Sequence, residues 1–220
     1  MTLVRLVLGL LPACGLKNVL LSRIGRGWSI ARSARVHPTL FWRVAALRIG
    51  AGAQMGPGNI VRDLVRFELA DDTIMGQFNW ITAEARYADQ VDPDRAGGLV
   101  LHEGAAIASR HYLDCAGGLE LGRMAILAGV RSTVLTHWAD HQNWVLRAAP
   151  VVLGESTIVS STVTLTAGAL VPDGCVVAAG AVVPKALSEP DTLYGGVPAK
   201  PIADLSGSAH SRRSAPRFAR

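Results

Sequence analysis

The sequence predicts an all-β chain wound as a parallel β-helix, with a short helical N-terminal segment before it and a flexible C-terminal tail after it. Three observations predict this. From Leu153 onward an aliphatic residue recurs every six positions, at Leu153, Val159, Leu165, Val171, Val177 and Val183. Four residues after each of the first five stands a small or modest side chain: Thr157, Val163, Ala169, Cys175 and Ala181. Apolar-x-apolar pairs at Leu47/Ile49, Phe67/Leu69, Leu99/Leu101, Leu119/Leu121 and Val151/Leu153 mark starts spaced 20, 32, 20 and 32 residues apart. Helices repeat at about 3.6 residues and flat strands at about 2, so neither sustains a period of six. Short strands laid in turn on the faces of a prism do.

Composition agrees. Half of the 220 residues are hydrophobic but only 5% are aromatic, so the core must be aliphatic and regular. The formal charge is +5, and Arg212, Arg213, Arg217 and Arg220 supply four of it. That leaves a body that reads as near neutral and gives no ground for a nucleic-acid partner. Cys14, Cys115 and Cys175 are odd in number and widely spaced, which fits a reducing, cytoplasmic compartment better than a disulfide framework.

Taken in order, residues 1–46 read as a helical cap. MTLVRLVLGLLPACGL is broken by Pro12 and Gly15, and LKNVLLSRIG then resumes an amphipathic pattern with Lys17 and Arg23. The apolar run is too short for a bilayer, which takes about 20 residues. Two short helices that pack on the body or rest on the inner face of a membrane are expected; a cleaved leader or a lipidated Cys14 is the alternative.

Residues 47–202 form the β-helix. Its hexads continue through Met55, Val61, Met75, Ile107, Leu113 and Leu127. The two 32-residue intervals each hold twelve extra residues, which places projecting loops near 83–98 and 138–150. Residues 203–220, rich in Ser, Arg and Ala, read as a basic flexible tail.

With hexads of this form, ending in AAGAVVPKALSEPDTLYGGVPAKPI, the chain resembles the hexapeptide-repeat acyltransferases, most of all the branch that O-acetylates sugars and polysaccharides. The resemblance covers roughly residues 47 to 202, and GGVPAKPI is its most specific element. It implies a left-handed β-helix, a homotrimer, acetyl-CoA in a groove between subunits and a sugar or glycan acceptor. It also implies that His137, which follows LELGRMAILAGVRSTVLT and precedes a loop, is the catalytic base.

The chemistry suits the match. A sugar hydroxyl is a poor nucleophile, and an imidazole with its usual pKa of about 6.5 can take its proton. The thioester is already activated, so no metal or covalent intermediate is required. Around His137, VLTHWADHQNW offers Asp140 and His141 as orienting or substrate groups, and Trp138 and Trp144 as stacking platforms or loop anchors. One coil below, ASRHYLDC offers Arg110, His111 and Asp114 to an acceptor; for His111 a satisfied inward slot is the alternative. The resemblance assigns Ser160, Ala178 and Ala179 to the pantetheine, and Lys185 and Lys200 to the nucleotide phosphates.

Two rivals stand beside this reading. A γ-carbonic-anhydrase-like zinc enzyme would use His111, His137 and His141, whose 26- and 4-residue spacings do not match that family. A trimeric scaffold would have no need of a histidine at position 137.

Overall fold

The computed structural model describes residues 2–87 and 89–210; Arg212, Arg213, Arg217 and Arg220 of the expected tail lie outside them. The six-residue period is a left-handed parallel β-helix. Its strands stack into three faces. The first has seven strands, from Trp28–Ile30 to Leu170–Val171; the second has nine, from Arg35–Val36 to Lys200–Asp204; the third has seven, from Thr39–Trp42 to Val182–Val183.

The hexads explain why such short strands hold. In a two-residue strand one side chain points in and the other out, and the inward one is the aliphatic residue of the period. Leu153, Val159, Leu165, Val171, Val177 and Val183 are all fully buried. Each stabilises the fold by roughly 1.5–3 kcal/mol. In these coils the corners hold compact groups, Thr157, Val163, Ala169, Cys175 and Ala181, at most 1% exposed. On the first face Leu47, Phe67, Leu99, Leu119 and Val151 stack in parallel register, so the spacings of 20, 32, 20 and 32 are true coil lengths.

One corner carries a polar column. Asn59, Asn79, His111 and Ser132 lie above one another and are all buried. Asn59 Oδ1 accepts the Asn79 backbone N–H, Asn79 Oδ1 accepts that of His111, and His111 Nδ1 accepts that of Ser132. Ser132 Oγ then donates to the Ser160 carbonyl. These side chains satisfy backbone groups that the tight corner turns away from the strand ladders.

The β-helix begins earlier than the hexads suggest. Trp28–Ile30 pairs with Ala46–Ile49, and Thr39–Trp42 pairs with Asn59–Arg62, so a complete first coil precedes residue 47. Its inward residues include Trp28 and Phe41, which meet edge to face with ring centroids 5.5 Å apart. These rings break the aliphatic pattern. At the other end Lys200–Asp204 adds an antiparallel strand to Thr192–Gly195, and this moves the boundary past residue 202.

Two helices close the N-terminal end, α1 (Thr2–Gly9) and α2 (Gly15–Ile24). They are fixed to the first coil by Lys17, whose Nζ donates to the carbonyls of Gly9, Leu11 and Val36 at 2.7–3.0 Å. Asn18 adds bonds to the carbonyls of Ala31 and Ala34. A Cβ on Gly9 would sit 2.7 Å from the Thr39 carbonyl oxygen, so α1 approaches the prism as closely as glycine allows.

The extra residues are where they were expected. One insertion joins Trp80–Thr82 to Gly98–Leu101 and contains a 3-10 turn at Ala85–Tyr87. The other is an antiparallel hairpin of His137–Asp140 and Val145–Ala148. Both leave the corner between the third face and the first.

Candidate active site

Asp114 ends a strand of the third face, and Thr136 and His137 follow the strand one coil above it. The two segments meet at the corner from which the hairpin departs. Asp114 Oδ2 accepts the backbone N–H of Thr136 at 2.7 Å and its hydroxyl at 2.9 Å, and lies 2.7 Å from His137 Nδ1. Asp114 Oδ1 accepts the backbone N–H of Ala116. Thr136 Oγ1 in turn accepts from Gly117 N. A Cβ at Gly117 would lie 2.7 Å from the Thr136 carbonyl oxygen, so glycine is what lets this strand end settle onto the coil below.

Burial divides the pair. The Asp114 side chain is 3% exposed and that of His137 is 38% exposed. Asp114 is therefore a fixed acceptor, surrounded by donors, and His137 Nδ1 must carry a proton toward it. Nε2 is left as the nitrogen with a free lone pair.

The first insertion supplies a residue that sequence reasoning missed. Tyr87 is buried and stacks on the His137 ring, with centroids 5.2 Å apart and planes inclined by 25°. Burial, with Glu84 adding to it, raises the Tyr87 pKa, so the phenol stays neutral. Gln90 ties the two insertions together, donating to the Leu146 carbonyl and accepting from Ala148 N. Tyr87 packs with Ala116 and Ala148 in a small apolar cluster behind the imidazole. The signal that could have found Tyr87 is that both insertions leave the same corner, since strand register carries each back to the first face.

His137 and Asp114 line a cavity of about 640 Å³ that runs down this corner past Tyr112, Thr82 and Glu84 to Arg62 and Arg43. Arg43 and Arg62 both pair with Asp63 at its far end, at 3.2 and 2.7 Å.

Several expected residues lie elsewhere. Asp140 does not orient His137. Its carboxylate accepts from Gln142 N, Asn143 N and Asn143 Nδ2, which closes the hairpin turn, and the Asn143 side chain chiefly holds its pKa below the usual carboxylate range. His141 is exposed beside it. Trp138 and Trp144 are 45% and 87% exposed, so neither anchors the hairpin to the prism; Gln90 and Tyr87 hold it instead.

Arg110 and His111 enter the strand Tyr112–Asp114 at the opposite corner, because that strand crosses the whole face. Arg110 is exposed with φ 61°, and His111 points into the polar column. His111 Nε2 is buried without a partner, and burial lowers the pKa of the ring to about 4. The alternative of an inward slot therefore describes His111, although only one of its nitrogens is satisfied. Among the described residues no three His, Cys, Asp or Glu side chains gather as a metal-holding group, and His111, His137 and His141 stand apart.

Two of the residues assigned to CoA stack at one corner. Ser160 N donates to the Val177 carbonyl, which places Ser160 and Ala178 in successive coils at the corner between the second and third faces. Ala179, Lys185 and Lys200 are exposed.

No protein-family profile matches the chain, and a search of curated proteins finds no relative. Solved structures do share its fold. The polysialic acid O-acetyltransferase OatWY is similar over 81% of this chain and 84% of its own, with 16% identity and a TM-score of 0.57. A variant of AntD, an N-acyltransferase from Bacillus cereus in complex with dTDP-4-amino-4,6-dideoxyglucose and coenzyme A, is similar over 84% of this chain and 88% of its own, with 13% identity and a TM-score of 0.53. At these identities the likeness is one of fold, and it is the fold that the hexads and their resemblance to hexapeptide-repeat acyltransferases imply.

Proposed function

We propose that the protein is an acyl-CoA-dependent O-acyltransferase that moves an acetyl group from acetyl-CoA to a hydroxyl of a sugar or glycan, with His137 as general base. The observation that carries this reading is the buried Asp114 holding a partly exposed His137 in the wall of a cavity of about 640 Å³. The acyltransferase neighbours on the same fold support it.

The arrangement accounts for each step. Asp114 fixes Nδ1–H, so Nε2 accepts the acceptor's hydroxyl proton as that oxygen bonds to the thioester carbonyl carbon. Collapse of the tetrahedral intermediate breaks the C–S bond, and the sulfur leaves with the proton from Nε2. Free CoA and the ester result, and His137 returns to its starting state. Asp114 stabilises the transient imidazolium without being protonated itself.

Within one chain the CoA-assigned Ser160 and Ala178 sit at a different corner from His137. A neighbouring copy that brings its own corner alongside would complete the site, which is our reason for proposing a homotrimer. Lys185 and Lys200 then meet the phosphates as point charges.

The test is release of CoA from acetyl-CoA in the presence of a panel of glycan acceptors. His137→Ala should lower turnover by roughly a hundredfold or more. Near-normal turnover in that variant, or no CoA release by the unaltered protein with any acceptor or with water, would overturn the reading and favour a scaffold.

A further inference from the structure

The charges of the chain are segregated. Residues 1–62 hold nine Lys or Arg and no Asp or Glu, whereas residues 63–210 hold nine basic residues and all 17 acidic ones. The near-neutral body inferred from totals is therefore a strongly basic end joined to an acidic remainder.

The basic end also carries apolar surface. On α1, Leu3, Val4 and Val7 are 73%, 50% and 56% exposed, and Leu10, Leu11 and Leu16 in the residues that follow are exposed as well. Positions 3, 4 and 7 fall on one side of α1. The other side is already engaged: Leu8 packs on the core, Gly9 is buried, and Arg5 donates to the Ile24 carbonyl while lying 5.2 Å over the Trp28 ring. A short helix that is apolar on both sides has one side left without a partner. Arg23, Arg26, Arg32 and Arg35 belong to the same acid-free N-terminal stretch and are exposed, and no ion pair among the described residues includes them.

From this we infer that the N-terminal cap docks the protein on an anionic lipid bilayer, with α1 lying in the interface and the arginines among the headgroups. No helix among the described residues is long and apolar enough to cross a membrane, so the contact is peripheral. Stable peripheral anchoring takes two signals together, such as an apolar insert and a basic patch, and the cap has both. A second copy of the chain is the competing occupant. Bringing two acid-free basic ends face to face opposes like charges, whereas an anionic surface neutralises them. The inference does not depend on the acyltransferase reading, since none of these residues touches His137.

Sedimentation of the full-length protein with vesicles tests it. Binding to phosphatidylcholine vesicles containing phosphatidylglycerol should exceed binding to phosphatidylcholine alone by roughly tenfold or more and fall as salt is raised. Leu3→Asp with Val7→Asp, and separately Arg23→Glu with Arg26→Glu, should each abolish it while the melting temperature holds, because all four side chains face solvent. Equal binding to the two vesicle types, or retention of binding by either variant, would overturn the inference. So would absence of lipid binding together with a larger oligomer that the Leu3/Val7 variant dissociates, which would assign the patch to a second copy.

Discussion

Asp114 and His137 are 23 residues apart in sequence and 2.7 Å apart in space, joined across adjacent coils of the third face. The carboxylate holds the imidazole in one orientation and one tautomer. Asp114→Asn keeps the shape but presents an amide whose N–H₂ can face Nδ1, which would favour the tautomer with its proton on Nε2. We expect kcat to fall by about 10²–10⁴ with little change in KM for acetyl-CoA. Steady-state kinetics on both substrates checks this.

Tyr87 tests whether the first insertion belongs to the site. Tyr87→Phe keeps the ring against His137 and should retain activity within a few-fold. Tyr87→Ala removes a buried ring and should cost about 3–5 kcal/mol of local packing. Turnover should drop and the hairpin 137–148 should exchange amide protons faster. Hydrogen-exchange measurements on both variants separate the two effects.

His111 makes stability depend on pH. Its pKa in the fold, about 4, lies below the ordinary 6.5, so the unfolded chain binds this proton more readily. The sign follows: the fold gains nothing from this group below about pH 4, and stability rises as pH increases through the window from there to about 6.5. The difference amounts to about 3 kcal/mol. His111→Asn places a third asparagine above Asn59 and Asn79, supplies an acceptor for Ser132 N and removes the titration. Denaturant melts at pH 4.5 and about pH 7 should differ less for that variant than for the parent.

Asp140 and His141 mark the edge of the chemistry. Since Asp140 serves the hairpin turn and His141 faces solvent, Asp140→Ala and His141→Ala should each change kcat by less than about tenfold, far less than Asp114→Asn. A loss as large as that of His137→Ala would return either residue to the catalytic machinery.

The period of six revealed most of the fold, because inward positions of a prism accept little but aliphatic side chains and so write themselves into the sequence. Leu153 to Val183 show it in unbroken phase. The first coil was hidden because Trp28 and Phe41 replace aliphatics there and five residues, not six, separate Val36 from Phe41. In the candidate site, the resemblance singled out His137 by its place after the hexads and before a loop. Its partner was not singled out: Asp140 and His141 were the groups expected to orient it and Asp114 was given to an acceptor, because proximity along the chain competes with stacking between coils. Stacking decides it in favour of Asp114. Tyr87 was illegible because it reaches His137 from an insertion whose internal conformation obeys no repeat. The charge segregation was present in the residues but vanished in a net sum.

Both insertions leave one corner and return to the same register on the first face. Their residues are thus outside the repeating lattice, and lengthening or exchanging them shifts no strand pair above or below. The prism can stay constant while the rim of its cavity is rewritten, so the shape of the cavity mouth can vary without disturbing the pairing of the coils.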